Sequence, residues 1–418
     1  MSTPRSMKPL RTSVLFTALL FASSATAQDR WVISADTVYT AAGDPIENGS
    51  VVVADGKIAA LGPGGGTKLE VAAVTPGFVD LSVGIDTGTY SVEQTTETAV
   101  TSSVAETLDF FSYRWNRQLA SGVTTVLSAP SDFNVIGGLC LVHKTGGEPT
   151  LEARLLKEDV ALRASIGKQS SLGNSTPSRF RDNTIYVRRP TTRMGVEWVF
   201  RKAYYDAINA KRFGLDVSEE EAAQNAILQR TMDGELPVFV HAMATQDVRT
   251  SIFLKNEFGI DHMIIDHAVE AWKEIDLVQE SGVGIVLPPV PKDGRVRDPY
   301  ANDSYMATLD AAKRLSERGV PIALSGDGAS SAEARIAHQA GYAIRGGLSF
   351  EAALAAVTIG PAKMIGVDDR VGSIEVGKDA DLVLWNGKPF EPTSAIVGVL
   401  LDGQLVIDPR PADEGAGQ

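Results

Sequence analysis

The chain has 418 residues, of which 44% are hydrophobic and 22% are charged, so it can bury a large core and form more than one structural unit. Its 39 glycines and 20 prolines are ordinary numbers for this length, which excludes a collagen-like or extensively disordered chain. The formal net charge is −13 and no lysine- or arginine-rich run stands out, so we expect no nucleic acid among its partners.

The first 27 residues have the pattern of a secretory signal peptide. Arg5, Lys8 and Arg11 precede the apolar stretch SVLFTALLF, and the small-residue segment SATAQ follows it. A short membrane anchor is the alternative, but this apolar stretch is shorter than the ~20 residues that a spanning helix needs. We therefore expect cleavage after Ala27, a periplasmic or secreted protein, and no membrane contact after cleavage.

The segments 28–76 and 370–409 are both rich in short β-strands. Runs such as GSVVVADGKIAALG in the first and DADLVLWNG in the second are separated by Gly, Asp and Asn turns. This pattern predicts a small β-sandwich domain built from both ends of the chain. Residues 410–418 are expected to form a tail.

The intervening segment, 77–369, alternates strands with amphipathic helices. Such alternation predicts parallel strands joined by helical crossovers. The predicted strands are TPGFVDLSVGI, GVTTVLSAP, VIGGLCLVHK, DVALRASIG, LPVFVHA, HMIIDHA, VGIVLPP and PIALSGD. Eight strands in a segment of this length predict an α/β fold of the (β/α)8 TIM-barrel type.

Three of these strands end in side chains that can bind a metal ion. They are His241, His267 and Asp327, and each lies where a buried strand leaves the core. Barrel enzymes carry their chemistry at this end of the strands. Two imidazoles and a carboxylate suit a zinc-like ion, although an isolated histidine at a strand end is more often a hydrogen-bonded structural residue.

Several motifs together resemble the amidohydrolase superfamily, and within it the exported bacterial members related to imidazolonepropionase. The motifs are TPGFVD at 75–80, GVTTV at 122–126, HA at 241–242, DHA at 266–268, SGDG at 325–328 and GSIEVGKDADLVLW at 372–385. The resemblance implies hydrolysis of a carbon–nitrogen bond by a metal-bound hydroxide. It also implies that His241 and His267 bind metal, and that Asp327 is both a ligand and the catalytic base.

The first and fourth strands depart from the family pattern. The resemblance implies a His-x-His pair after the first strand, where this chain has Ser82 and Gly84. It implies an anionic ligand near the fourth strand, either a carboxylated lysine or a glutamate. Arg163 stands at the lysine position and cannot be carboxylated, and Lys168 stands at the glutamate position. Three ligands suffice for one zinc or similar ion with water, so we expect one metal ion at most, or none. Ser82 and Arg163, with His143 after the third strand, are candidate residues of the substrate pocket.

Three functions remain open from the sequence. The first is a metal-dependent hydrolase of C–N bonds in a small-molecule substrate. The second is a catalytically inactive relative that acts as a binding module or as the partner subunit of an active paralogue. The third is metal-free catalysis by Asp327 with Arg163 or Ser82. A homodimer, or a heteromer with an amidohydrolase paralogue, is compatible with each.

Overall fold

The computed structural model describes residues 30–83, 91–172, 174, 187–290, 307–329 and 334–410. The predicted signal peptide, Gly84 and residues 411–418 lie outside these ranges. Within them, no helix combines the length and the apolar character needed to cross a membrane.

The N-terminal segment contributes four strands to a β domain. They are β1 (Trp31–Val38), β2 (Ile46–Ala54), β3 (Lys57–Leu61) and β4 (Thr67–Pro76). β2 pairs antiparallel with β1 and β3, whereas β1 and β4 pair parallel. Asp55 and Gly56, both with positive φ, make the two-residue turn between β2 and β3.

The middle segment forms the predicted barrel. Its strands are β5 (Phe78–Asp80), β6 (Val123–Ser128), β7 (Ile136–Lys144), β8 (Leu155–Ser165), β9 (Val238–His241), β10 (Met263–Asp266), β11 (Gly284–Leu287) and β12 (Ile322–Leu324). They are hydrogen-bonded in chain order from β5 to β12, which makes a nearly closed eight-stranded sheet. The (β/α)8 prediction is therefore confirmed.

The third barrel strand, β7, runs in the opposite direction to the one predicted. It pairs antiparallel with both β6 and β8, whereas the other neighbouring strands of the barrel pair parallel. Residues 129–135 and 145–154 connect it to its neighbours. A parallel crossover needs about a dozen residues or more, usually including a helix. These short connections account for the reversal.

The helices surround this sheet and are α1 (Tyr113–Ala120), α2 (Leu151–Arg154), α3 (Arg193–Phe213), α4 (Glu219–Met232), α5 (Thr245–Phe258), α6 (Ile275–Ser281), α7 (Ala311–Glu317), α8 (Ile336–Arg345), α9 (Phe350–Ala355) and α10 (Ile359–Ile365). One apolar cluster takes side chains from all eight strands, including Val79, Phe239 and Val286, and fills the barrel interior. It continues into Ala362 and Ile365 of α10, so this helix covers the end at which the parallel strands begin.

The C-terminal segment completes the β domain. Its strands are β13 (Leu382–Trp385), β14 (Ile396–Leu401) and β15 (Gln404–Ile407). β13 pairs antiparallel with β4, and the seven strands form one sheet in the order β15-β14-β13-β4-β1-β2-β3. The β domain predicted from both ends of the chain is confirmed, and it takes the form of this single sheet.

A buried lysine joins the barrel to the β domain. Lys144, at the end of β7, is 2% exposed, and its Nζ lies 2.5 Å from Asp381, 3.1 Å from Asp379 and 3.2 Å from Asp402. Burial alone would lower the pKa of Lys144, but the three carboxylates outweigh burial and raise it. The ammonium group is therefore charged and neutralises carboxylates that the fold has also buried.

Removing this cation should destabilise the protein strongly. We expect Lys144→Met to lower the free energy of unfolding by about 3–5 kcal/mol, because Asp379 and Asp381 would stay buried without it. Lys57→Met is the matched control, since Lys57 is 47% exposed and pairs with the same Asp379. It should cost about 0–1 kcal/mol in urea unfolding. Equal losses in the two variants would contradict this account.

The carboxylate of Asp80 links the two edge strands of the barrel. Its Oδ1 accepts a hydrogen bond from the Ser82 N–H (3.1 Å), and its Oδ2 accepts one from the Gly326 N–H (2.8 Å), just beyond β12. Ser325 Oγ donates to the Ser82 carbonyl across the same seam. Burial raises the pKa of Asp80 to about 7.

This raised pKa predicts a pH-dependent stability. Between the unfolded value of about 3.9 and the folded value of about 7, the folded state keeps a proton that the unfolded chain has released. The contribution of Asp80 to stability therefore falls as the pH rises through this window, by an amount on the order of 4 kcal/mol.

In Asp80→Asn the fall in thermal midpoint between about pH 4.5 and 7.5 should be smaller than in the wild type. Asp36→Asn, at an exposed position of β1, serves as the control. A pH profile that is identical in Asp80→Asn and the wild type would count against the role assigned to Asp80.

Candidate functional site

Two neighbouring strands place the core of the site. His241 is the last residue of β9, Asp266 is the last residue of β10, and the two are paired in register. His267 follows directly after β10. One ligand atom from each of the three residues lies within 4.8 Å of the others. The group is at the carboxyl end of the parallel strands, where barrel active sites are found.

Asp266 is the centre of this group. Its Oδ2 lies 3.1 Å from His267 Nδ1 and 2.9 Å from Arg163 Nη1, and it accepts a hydrogen bond from Ser82 Oγ (3.3 Å). Its Oδ1 accepts a hydrogen bond from the His267 N–H (2.9 Å). Burial alone would raise the pKa of Asp266, but the charges of His267 and Arg163 outweigh burial and hold it below its usual range. Asp266 is therefore a buried carboxylate anion.

Arg163, on β8, is the cation beneath the group. Its side chain is 5% exposed, and its Nε and Nη2 lie 2.8 and 2.6 Å from Asp132 Oδ1. Its guanidinium carbon is 4.8 Å from the centre of the Phe239 ring. Burial alone would lower the pKa of Arg163, but Asp132 and Asp266 outweigh burial and raise it. Contrary to the sequence prediction, this guanidinium is engaged with protein carboxylates rather than exposed to a substrate.

The Nδ1 atom of His241 is buried and makes no hydrogen bond with the described residues. It lies 3.3 Å from Asp132 Oδ2 but without hydrogen-bond geometry. Burial lowers the pKa of His241 to about 4. The imidazole is therefore neutral near pH 7, which is the form that binds metal.

His267 and Asp327 share an uncommon backbone conformation. Their φ angles are 55° and 42°, in the left-handed region that non-glycine residues rarely adopt and that recurs at functional sites. Burial alone would lower the pKa of His267, but Asp266 outweighs burial and raises it to about 9. Asp327 adds to that rise, so its charge lies near His267.

Asp327 is exposed and begins a short 3₁₀ turn, Asp327–Ala329, after β12. It does not belong to the compact group of His241, Asp266 and His267. The carboxylate in that group is Asp266, where the sequence predicted Asp327. Ser82, by contrast, does reach the site, because its Oγ lies 3.3 Å from both Asp266 Oδ2 and His267 Nδ1.

His143 lies away from this group, which corrects the prediction that it lines the pocket mouth. Because β7 is antiparallel, its carboxyl end lies at the opposite rim of the barrel. The imidazole is fully buried, 4.9 Å from the Trp115 ring and 5.2 Å from the Phe110 ring, and 2.9 Å from Ser128 Oγ. Burial lowers its pKa to about 4. His143 is a packing residue between the sheet and α1.

Sequence reasoning missed two carboxylates of the site. Asp266 stands directly before His267 and ends the buried run MIID, so its position in a hydrophobic strand was a readable signal. Asp132 lies in the connection between β6 and β7. No local pattern marks it, because its role depends on contacts with Arg163 on β8.

The donor atoms fit one divalent ion once His267 releases its proton. His241 offers a neutral imidazole whose buried nitrogen lacks a hydrogen-bond partner within the described ranges. Asp266 adds a carboxylate, and His267 adds a second imidazole when an ion displaces the proton that its raised pKa retains. Three protein ligands and a water are the usual set of a catalytic zinc. Arg163 Nη1 contacts the same Asp266 Oδ2 as His267 Nδ1, so a fixed positive charge already lies at this oxygen.

Known proteins are similar to this chain in sequence. The chain is 28% identical over 309 residues to amidohydrolase tasK of Hapsidospora irregularis, covering 69% of this chain and 31% of that protein. It is 24% identical over 180 residues to imidazolonepropionase of Thermoplasma acidophilum, covering 42% of this chain and 41% of that protein. The chain thus spans less than half the length of these curated relatives.

A solved structure, the amidohydrolase from Thermotoga maritima MSB8, superposes with a TM-score of 0.76 at 27% identity, covering 90% of this chain and all of that one. A family model described as "Amidohydrolase family" matches residues 180–407, which is more than half of the chain and includes β9, β10 and β12. The chain belongs to the amidohydrolase family.

Proposed function

We propose that the chain is a hydrolase of carbon–nitrogen bonds in a small-molecule substrate, with a site that holds at most one divalent ion such as zinc. The observation that carries the proposal is the compact group of His241, Asp266 and His267, with Arg163 in contact with its carboxylate. The relatives support the reaction class, since they include proteins named imidazolonepropionase and 5-methylthioadenosine/S-adenosylhomocysteine deaminase.

Each residue of the site has an assigned task. A bound divalent ion would supply Lewis acidity and a more acidic water. His241, Asp266 and His267 would hold this ion, and Ser82 Oγ donates a hydrogen bond that orients the Asp266 carboxylate. Asp327 is the exposed carboxylate beside His267, and we assign to it the acceptance of a proton during hydrolysis.

Arg163 argues against a second ion. Its guanidinium is buried and charged and lies 2.9 Å from Asp266 Oδ2, so a second cation held near this oxygen would meet a fixed positive charge. Like charges at about 4 Å repel each other by several kcal/mol in a partly buried site. Ser82 at one of the expected first-strand positions has a neutral hydroxyl, which is a poor zinc ligand. The set of ligands thus suffices for one ion only.

The charge balance of the group favours one alternative. Arg163 and a protonated His267 already neutralise Asp132 and Asp266 without any metal. A barrel of this kind would suit a catalytically inactive relative, acting as a binding module or as the partner of an active paralogue. Export through the signal peptide and assembly with a second copy or a paralogue also stay predictions.

Metal content distinguishes the two functions. We expect the purified chain, equilibrated with zinc and analysed by elemental analysis and calorimetry, to bind one ion. His241→Ala and Asp266→Asn should each weaken binding by at least about 100-fold, because each removes one of three protein ligands. His262→Ala is the control, since this exposed histidine precedes β10 at the other end of the strand.

Two ions per chain, or unchanged binding in His241→Ala, would contradict the single-ion site. No binding at all would establish the inactive alternative, unless hydrolysis of amide or cyclic-amide substrates persists. Hydrolysis that survives chelators would instead support metal-free catalysis by Asp327 with Ser82.

Arg163 should stabilise the fold as well as hold Asp132 and Asp266 in place at the site. We expect Arg163→Met to lower the free energy of unfolding by about 3–5 kcal/mol, since Asp132 and Asp266 would lose their cation. Arg163→Lys should lower the free energy of unfolding by less, because lysine keeps the positive charge. Some loss should remain, because lysine lacks the planar guanidinium that contacts both carboxylates. Urea unfolding measures both variants.

Lys202→Met is the control for this series, because Lys202 forms an exposed pair with Asp206 on α3. It should cost about 0–1 kcal/mol. If Arg163→Met were as stable as this control, the charge network around Asp266 would not hold the site together.

A further inference from the structure

A cavity lies away from the group of His241, Asp266 and His267. It has a volume of about 760 Å³, is open to solvent on one side, and is lined by the end of α1, by residues of α8 and by the connection between β13 and β14. Its walls include Ile344, Phe350, Phe390 and Ile396, and its charged residues include Arg335, Arg345 and Lys388. Sites for drug-sized molecules have volumes of about 300–1,000 Å³ and mostly apolar walls.

The apolar wall is held in place by specific packing. The Phe390 ring centre is 5.7 Å from both Phe350 and Trp385. Phe390 has a φ of 68°, which a bulky residue adopts only where the surroundings impose it. Its carbonyl oxygen lies so close to Gly341 of α8 that a Cβ there would be 2.9 Å away. The connection between β13 and β14 therefore packs closely against α8, and this packing fixes the position of the cavity's apolar wall.

The charged residues around the cavity are mostly positive. Arg335, Arg345 and Lys388 are exposed, and within the described ranges none of them forms an ion pair with a carboxylate. Lys388 Nζ lies 5.3 Å from the centre of the Phe350 ring, at the apolar wall itself. Glu391 is the acidic residue among the described lining. Three such cations at one cavity stand out in a chain with a net charge of −13.

We propose that this cavity binds a small amphipathic carboxylate, with its hydrocarbon body against the apolar wall and its anionic end at Arg345 and Lys388. Burial of each CH₂ group favours binding, and a carboxylate forms charge-assisted hydrogen bonds with guanidinium and ammonium groups. A protonated amine would be repelled by the three cations. A neutral alcohol would bind more weakly than a carboxylate, because it offers these cations no negative charge. This site does not depend on the function proposed for the barrel.

Calorimetric titration of the full chain with three eight-carbon probes tests the ligand class. Octanoate should bind saturably at one site per chain. Octanol should bind at least about 10-fold more weakly, because it lacks the charge-assisted hydrogen bonds, and octylammonium should not bind. Equal binding of octanoate and octanol, or no saturable binding of octanoate, would overturn the proposal.

Charge reversal tests the location. The variant Arg345→Glu/Lys388→Glu should weaken octanoate binding by more than about 10-fold. Lys68→Glu/Lys211→Glu is the matched control: it changes the net charge equally, and Lys211, like Arg345, lies in the last turn of a helix. The control should stay within about twofold of the wild type, because distant exposed charges are screened. Octanoate binding that is lost in His241→Ala but kept in the cavity variant would place the ligand in the barrel and overturn the proposal.

Discussion

The buried carboxylate of Asp266 is the interaction on which the candidate site depends. Its Oδ2 contacts Arg163, His267 and Ser82, so residues from β8, from the end of β10 and from beyond β5 converge on one oxygen atom. None of these charges could stay buried alone, because an unpaired ion in a protein interior costs several kcal/mol. Asp132 extends the same network, because its carboxylate pairs with Nε and Nη2 of Arg163.

This constraint supports the proposal that the site holds one metal ion. The barrel brings strand-end side chains together, and a guanidinium whose pKa is raised contacts the central carboxylate. The positive charge next to Asp266 is thus supplied by a side chain of the protein, Arg163. Around this site the chain forms an eight-stranded barrel sheet surrounded by helices, and a β domain built from both ends of the chain.

The sequence predicted those elements that depend on short-range patterns of apolar and turn residues. Short apolar runs bounded by turns placed β9 and β10 and put His241 and His267 at their ends. The direction of β7 was missed because a strand pattern has no direction, although the short connections on both sides were visible. Asp132 could not be found, since only folding brings it to Arg163. His143 was misplaced for the same reason as β7, and its packing against α1 follows from the reversal.

The central claim is that Arg163 stands where a second cation would otherwise bind, which leaves room for one metal ion. The most direct measurement is a crystal structure of the chain in excess zinc, with anomalous scattering recorded at the zinc edge. The account predicts one peak among His241, Asp266 and His267, with Arg163 still in contact with Asp132. Two peaks at the site, or an Arg163 side chain displaced from Asp132 by zinc, would contradict it.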